Sequence, residues 1–138
     1  MDLLRQVIDA FNRRDLDALL ALMDPGVEFT PYERAVEGLG PYLGHEGVRS
    51  WWEDAFDPFP DLSAELYDLR AVGDITYARG RLRGTGAGSG ASFERTLWLA
   101  VKWRDKKEVW WHAFESEADA LEAVDVMKKG PRAEIKRG

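Results

Sequence analysis

Residues 92–115 read SFERTLWLAVKWRDKKEVWWHAFE and predict two long neighbouring strands joined by the polar turn 104–107. Side chains alternate along a strand, so each strand presents two distinct faces. One face of the first strand comprises Leu97, Leu99, Val101 and Trp103, and the other comprises Thr96, Trp98, Ala100 and Lys102. The hairpin also holds four of the six tryptophans, and His112 lies midway along its second strand. Because both faces carry apolar residues, we expect helices to cover one face and a second subunit to cover the other.

The composition of the 138-residue chain, 45% hydrophobic and 32% charged, is typical of one folded domain. Its net charge of −6 argues against binding to nucleic acid or to an anionic membrane. The chain has no cysteine, which excludes disulfides and thiolate metal sites. Its first helix has no uninterrupted apolar run, so we expect neither a signal peptide nor a membrane span, and a cytoplasmic location.

Helical spacing of apolar residues predicts three helices in the first part of the chain. The apolar positions of the first two are Leu3, Leu4, Val7, Ile8 and Phe11, and then Leu16, Leu19, Leu20 and Met23. Asp2 and Asp15 are the predicted N-caps, and Asp24-Pro25-Gly26 is predicted to end the second helix. The third helix is predicted to begin at residues 44–47 and to end before residues 57–61.

The second part of the chain has the alternation and the turns of an antiparallel meander. Strands are predicted at 27–31, 62–72 and 75–84, ahead of the hairpin, with a loop at 32–44. A last helix, Glu117–Val126, follows Ser116 as its N-cap. The predicted fold is α+β, in the order α-α-β-α-β-β-β-β-α, with N-terminal helices covering a curved mixed or antiparallel sheet. We expect one domain over residues 1–126 and a basic, loose tail over 127–138. Such a sheet usually encloses a cavity.

Several local patterns, in this order, resemble the SnoaL-like polyketide cyclase family of the nuclear-transport-factor-2-like superfamily. They are Ala10-Phe11-Asn12-Arg13-Arg14-Asp15-Leu16-Asp17-Ala18-Leu19, Val27-Glu28-Phe29, Gly44-His45-Glu46-Gly47-Val48-Arg49, Phe59-Pro60-Asp61-Leu62, the glycine-rich residues 84–90, Arg104-Asp105-Lys106-Lys107 and the helix that begins at Glu117. The resemblance covers roughly residues 3–124. It implies a cone-shaped domain with an internal pocket, and a homodimer that packs through the sheet.

The resemblance leaves the activity open, because the superfamily includes cyclases, isomerases, dehydratases, epoxide hydrolases and proteins that only bind or assemble. Active cyclases of the family place an acidic residue along the last strand to move a proton. Here the middle of that strand offers His112, and the nearest acid is Glu115 at its end. The chain departs from the family pattern here, and His112 and Glu115 are the candidates that its own residues offer for acid/base catalysis.

His112 has a second interpretation, as a histidine that packs at a dimer face or in the core. An ordinary imidazole pKa near ~6.5 suits proton transfer at neutral pH, which favours the catalytic interpretation. The candidate pocket residues are Phe29, Trp52, Phe56, Trp98, Trp111 and Phe114. These aromatic side chains line a ligand pocket under the first interpretation and fill the cone under the second.

Other charged and polar motifs have simpler interpretations. Arg79, Arg81 and Arg83 share one strand face and either bind an anion or, more often, pair with acidic residues on neighbouring strands. His45 is expected to cap or pack at the start of the third helix. Two histidines far apart in sequence make a metal site improbable, and no motif indicates a cofactor.

Two functions remain open from the sequence. The first is a cofactor-free acid/base enzyme, of cyclase, isomerase or hydrolase type, that acts on a small hydrophobic or aromatic molecule. The second is a non-catalytic ligand-binding or dimeric assembly module whose cone is filled by its own side chains. The position of His112 distinguishes them, because a catalytic histidine has to face a cavity.

Overall fold

The computed structural model describes residues 2–129, which form five helices and six strands. The helices are α1 (Asp2–Asn12), α2 (Leu16–Ala21), α3 (Tyr32–Glu37), α4 (Gly44–Phe56) and α5 (Glu117–Lys129). The strands are β1 (Met23–Thr30), β2 (Tyr42–Leu43), β3 (Ser63–Val72), β4 (Ile75–Thr85), β5 (Ser92–Arg104) and β6 (Lys107–Phe114).

The strands form one curved, open sheet in the order β2-β1-β6-β5-β4-β3. β3 to β6 make the predicted antiparallel meander, and β1 lies parallel to β6. The predicted α+β class, with a mixed sheet covered by helices, is therefore confirmed. Ala18 N–H donates to the Asp15 carboxylate at 3.1 Å, and Asp119 N–H donates to the Ser116 hydroxyl at 3.2 Å, so the caps predicted at Asp15 and Ser116 form.

Two predictions about the first part of the chain are wrong. The segment 32–44 is not a loop but contains α3 and β2. α3 spans six residues, which are too few to show a helical period. It ends at Gly38, whose φ is 71°. The second helix, whose apolar positions were predicted to extend to Met23, ends at Ala21. β1 begins at Met23 rather than at residue 27 and contains Asp24-Pro25-Gly26, where the register to β6 shifts between Met23 and Glu28.

Each face of the sheet packs against helices. The inner face carries Leu97, Leu99 and Val101, which join apolar residues of α1, α2 and α4 in the main core. The outer face carries Tyr77 and Ala100, which form a second core with α5. The Tyr77 hydroxyl donates to the Glu117 carboxylate at 2.5 Å and joins the sheet to α5. The outer apolar face is thus covered in part by the same chain, whereas a second subunit was expected there.

α5 also corrects the predicted start of the tail. The helix continues to Lys129, so residues 127–129 are helical and do not belong to a loose tail. The remainder of the predicted tail, 130–138, lies outside the described residues.

The end of α1 is joined to strand β3 by side-chain hydrogen bonds. The Asn12 amide donates to the Ala64 carbonyl and accepts from the Ala64 N–H, both at 2.9 Å. Arg14 has a φ of 63°, and its guanidinium donates to the Pro60 carbonyl at 2.6 Å and lies 3.9 Å from the centroid of the Phe56 ring. These contacts hold the helix layer over the inner face and leave a space between them.

Candidate functional site

A cavity of about 100 Å³ lies between the inner face of the sheet and the helices. Its lining is mostly apolar and comprises Val7, Ile8, Phe11, Leu19, Met23, Phe29, Pro31, Tyr32, Glu33, Trp51, Ala55, Leu62, Ala64, Glu65, Leu66, Gly80, Arg81, Leu82, Leu97, Leu99 and Trp111. The small residues Ala64 and Gly80 come from β3 and β4, so the sheet leaves room there. The cavity therefore suits an apolar molecule.

Two of the four polar residues in the lining direct their charged groups elsewhere. Glu65 forms an ion pair with Arg83, and Arg81 forms one with Glu94 at 3.1 Å, on the outer face of the sheet. The polar side chains left at the cavity are Tyr32 and Glu33, at the start of α3. Polar contacts to a molecule in the cavity would consequently come from this rim.

Glu33 is the carboxyl group of the cavity rim. Although Glu33 is an exposed residue, partial desolvation of its carboxyl group raises its pKa above the ordinary value. The next largest effect, the hydrogen bond from its own backbone N–H, lowers the pKa, and the charges of Glu37, Arg34 and Asp54 have smaller effects. A carboxyl with a raised pKa can hold a proton nearer to neutral pH than an ordinary glutamate. Glu33 is therefore chemically able to exchange a proton with a bound molecule.

The six predicted pocket residues separate into three groups. Phe29 and Trp111 line the cavity, where Phe29 lies 4.7 Å from Trp111 and 4.6 Å from Trp51 between ring centroids. Trp52 and Phe56 pack against Phe11 within the helix layer. The other two, Trp98 and Phe114, lie on the outer face beside α5. Trp51, rather than its neighbour Trp52, is the tryptophan of α4 that faces the cavity.

His112 lies on the outer face and not in the cavity. Its ring is stacked between Trp110 and Phe114, at centroid distances of 5.7 and 4.5 Å. Burial lowers its pKa, and the contact of Nδ1 with the Ala113 carbonyl, at 2.7 Å, raises it to a smaller extent. Like Glu115, His112 borders a groove between α3 and α5. The structure thus separates His112 and Glu115 from the apolar cavity.

Glu108, at the start of β6, is fully buried. Neither of its carboxylate oxygens has a hydrogen-bond partner within residues 2–129. It pairs with Met23 of β1, a cavity residue, and with Trp103 of β5, which packs on the main core. Burial raises the pKa of Glu108 to about 8. The carboxyl group is consequently protonated, and neutral, over most of the physiological pH range.

The remaining polar candidates have structural partners. Arg79 forms an ion pair with Asp68 at 3.3 Å, so the arginines of β4 pair with acidic residues, as the second interpretation predicted. The His45 ring contacts the Met23 carbonyl at 2.8 Å, which joins α4 to β1. In the described part of the chain, no group of three His, Cys, Asp or Glu side chains is arranged to hold a metal ion. None of the helices there is both long and apolar enough to cross a bilayer.

The sequence reasoning missed Glu33 and Glu108 for different reasons. Glu33 lies in the segment predicted as a loop. The sequence YERAVE, followed by a glycine, weakly indicates a short helix that ends at that glycine. Simple alternation along β6 would put the side chains of Glu108 and Trp110 on the same face of the sheet. The register of β5 and β6 shifts between Lys102 and Trp103, so Glu108 lies opposite Trp103 and Trp110 lies opposite Lys102. No local sequence pattern indicates that shift.

Comparison with solved structures identifies the fold. The chain is 26% identical to IdmH, a putative polyketide cyclase from Streptomyces antibioticus, over 88% of this chain and 94% of that one, with a TM-score of 0.70. An NTF2-like protein of unknown function from Burkholderia pseudomallei is 22% identical over 88% and 94%, with a TM-score of 0.73. TerC, co-crystallised with polyporic acid, is 19% identical over 90% and 96%, with a TM-score of 0.72.

The sequence comparisons agree with this fold. None of the curated proteins matches the chain significantly. A family model described as a SnoaL-like domain matches residues 4–125, which span nearly all of the described structure. The predicted resemblance is therefore confirmed, and the chain belongs to the SnoaL-like domain family.

Proposed function

We propose that this protein binds a small apolar or aromatic molecule in the cavity between its helices and its sheet. The observation that carries the proposal is the mostly apolar lining with one carboxyl group, Glu33, at its rim. An apolar lining favours the ring or hydrocarbon part of a ligand, because few polar groups need to lose water when it binds. Glu33 then faces any polar end of the ligand.

The size of the cavity limits the part of the ligand that can be buried. A dry cavity of about 150 Å³ lined by apolar side chains can hold benzene. The cavity of about 100 Å³ here is of the same order and suits a single ring. A larger polycyclic molecule would need α3 to move from the rim, since Tyr32 and Glu33 belong to that helix.

Glu33 also gives the proposal a catalytic form. A carboxyl with a raised pKa, next to an apolar cavity, suits cofactor-free proton transfer of the kind that cyclases and isomerases use. The identity of 26% to a putative polyketide cyclase supports an activity on a small organic molecule. In this form Glu33 takes the acid/base role that the sequence assigned to His112 and Glu115.

Titration with single-ring compounds tests the binding site directly. Trp51 and Trp111 line the cavity, so a bound ring should change the intrinsic fluorescence. We expect p-cresol, toluene or a similar single-ring compound to bind to the wild-type protein. Ala55→Leu adds three carbon atoms to the lining, and we expect it to weaken binding at least tenfold because the ring no longer fits. Isothermal titration calorimetry would measure both affinities.

Two matched variants serve as controls. Ala71→Leu makes the same change at an exposed position of β3, and His112→Ala alters the outer face, so both should bind like wild type. Circular dichroism would verify that all variants fold. Failure of every single-ring compound to bind to the wild-type protein, or equal binding by Ala55→Leu, would contradict the proposal.

Self-association through the outer face is the second candidate function. The groove between α3 and α5 has Trp110 and Phe114 in its floor and Val126 at its side. Val126, which lines the groove, is 59% exposed, and Val36, which follows the lining residue Ala35 in α3, is 45% exposed. Exposed apolar residues around a groove are typical of an interface, and a second copy of the chain would cover them.

Sedimentation equilibrium tests this second candidate. The full chain should form a dimer at micromolar concentration, and Val126→Asp should shift it to a monomer because a charge would then enter the apolar interface. Ala118→Asp adds the same charge on α5 at an exposed residue outside the groove, and it should leave the dimer intact. A wild-type protein that stays monomeric at all concentrations would rule this candidate out.

A further inference from the structure

Arg95 lies at the mouth of the cavity on the inner face of the sheet. It precedes Leu97 by the two-residue spacing that puts side chains on the same face of a strand, and it pairs with Leu82 of β4; both leucines line the cavity. Arg95 Nη1 donates to the Tyr32 hydroxyl at 3.2 Å, and the guanidinium carbon lies 5.1 Å from the Tyr32 ring centroid. Because Tyr32 is itself part of the lining, the guanidinium is held beside the opening.

The charge of Arg95 is available for a ligand. Arg79, Arg81 and Arg83 each form an ion pair with a carboxylate, whereas Arg95 forms none within residues 2–129. A guanidinium has five N–H donors, and the bond to Tyr32 uses one of them. The others can form the paired, charge-assisted hydrogen bonds that a carboxylate accepts.

We propose that the cavity takes an amphipathic anion, whose ring lies in the apolar lining and whose carboxylate pairs with Arg95. This inference depends on the proposed ligand-binding function and specifies the class of ligand. An anion cannot lie deep in the cavity, because the apolar lining offers it no partner. In an arylacetate one carbon atom separates the ring from the carboxylate. Such a molecule would place its ring in the apolar lining and its carboxylate beside Arg95.

Glu33, the neighbour of Tyr32 in the lining, also affects this specificity. An ionised Glu33 would repel a carboxylate at the mouth. Glu33→Gln removes the negative charge altogether and should strengthen the binding of an anion. The two rim residues thus have opposite expected effects on the same ligand.

Calorimetric titration with phenylacetate and its neutral isostere 2-phenylacetamide tests the inference. The wild-type protein should bind phenylacetate at least tenfold more tightly than the amide. Arg95→Gln should weaken phenylacetate binding by about 10- to 100-fold, the loss expected for a charge-assisted hydrogen-bonded pair, and leave the amide unchanged. Arg49→Gln changes an exposed arginine of α4 outside the lining and serves as the matched control.

The outcomes separate this inference from the function on which it depends. If both compounds bind equally well and Arg95→Gln has no effect, the cavity binds rings but the anion specificity is wrong. If neither compound nor any other single-ring molecule binds, the proposed function itself fails and the inference fails with it. A loss of both affinities in Arg95→Gln would show damage to the site and would also overturn the inference.

Discussion

Glu108→Gln should make the protein more stable at neutral pH, by about 3 kcal/mol at pH 7 if burial is the dominant effect. The Glu108 pKa is about 8 in the folded protein, against a reference value of 4.5. Between these two values the folded state keeps a proton that the unfolded state has lost. The free energy of unfolding of the wild type should therefore fall as the pH rises from about 4.5 to 8, and then level off.

Urea denaturation at pH 5, 7 and 9 would measure this effect. The difference between Glu108→Gln and wild type should be small at pH 5 and largest at pH 9, since glutamine does not ionise. Glu108→Met, of similar shape and without a polar group, should show the same pH trend and controls for the burial of the new amide. A stability difference that does not change with pH would mean that Glu108 does not hold its proton in the folded state.

Phe11→Ala should destabilise the fold by about 3–5 kcal/mol, the usual cost of removing a buried aromatic ring. Phe11 is 6% exposed and contacts three rings, Trp51, Trp52 and Phe56, at centroid distances of 5.8, 6.0 and 5.2 Å. Its removal takes away a ring that joins α1 to α4 and leaves a larger cavity. The midpoint of urea unfolding should therefore fall, with little change in the slope of the transition.

Phe93→Ala provides the comparison for Phe11→Ala. Phe93 is only half-buried and contacts the single ring of Phe59 edge to face, at a centroid distance of 4.8 Å, so its loss should destabilise the fold clearly less. Because Phe11 also lines the cavity, Phe11→Ala should in addition accept larger rings than the wild type does. Equal losses of stability in the two variants would mean that the aromatic cluster around Phe11 is not central to the core.

The sequence predicted those elements whose periodicity extends over many residues. Alternation over 96–103 placed Leu97, Leu99 and Val101 together on one face, and in the structure all three belong to the main core. Helical spacing likewise gave α1 and α4. In each case a run of apolar residues with one period determines which side is buried.

Short elements and register shifts could not be predicted in the same way. α3 is a single helical region of six residues, and Glu33 was missed with it. The face of the sheet on which the Glu108 side chain lies depends on a register shift between β5 and β6. Such a shift depends on how the two strands pair and is not encoded in either strand alone. Trp51 and Trp52 are adjacent, so the pattern allowed either one to face the cavity, and packing against Phe29 selects Trp51. Site residues depend on such details more than the fold does.

The hydrogen bonds between Asn12 and Ala64 have a consequence for association between molecules. β3 is an edge strand, and the exposed backbone of an edge strand can pair with a strand of another molecule, which leads to aggregation. The Asn12 amide occupies both the N–H and the carbonyl of Ala64 on the side away from β4, where an incoming strand would have to bind. A second obstacle follows at Asp68, whose φ of 49° interrupts the regular strand. One asparagine therefore both fixes a helix and keeps this edge from acting as a template for fibrils.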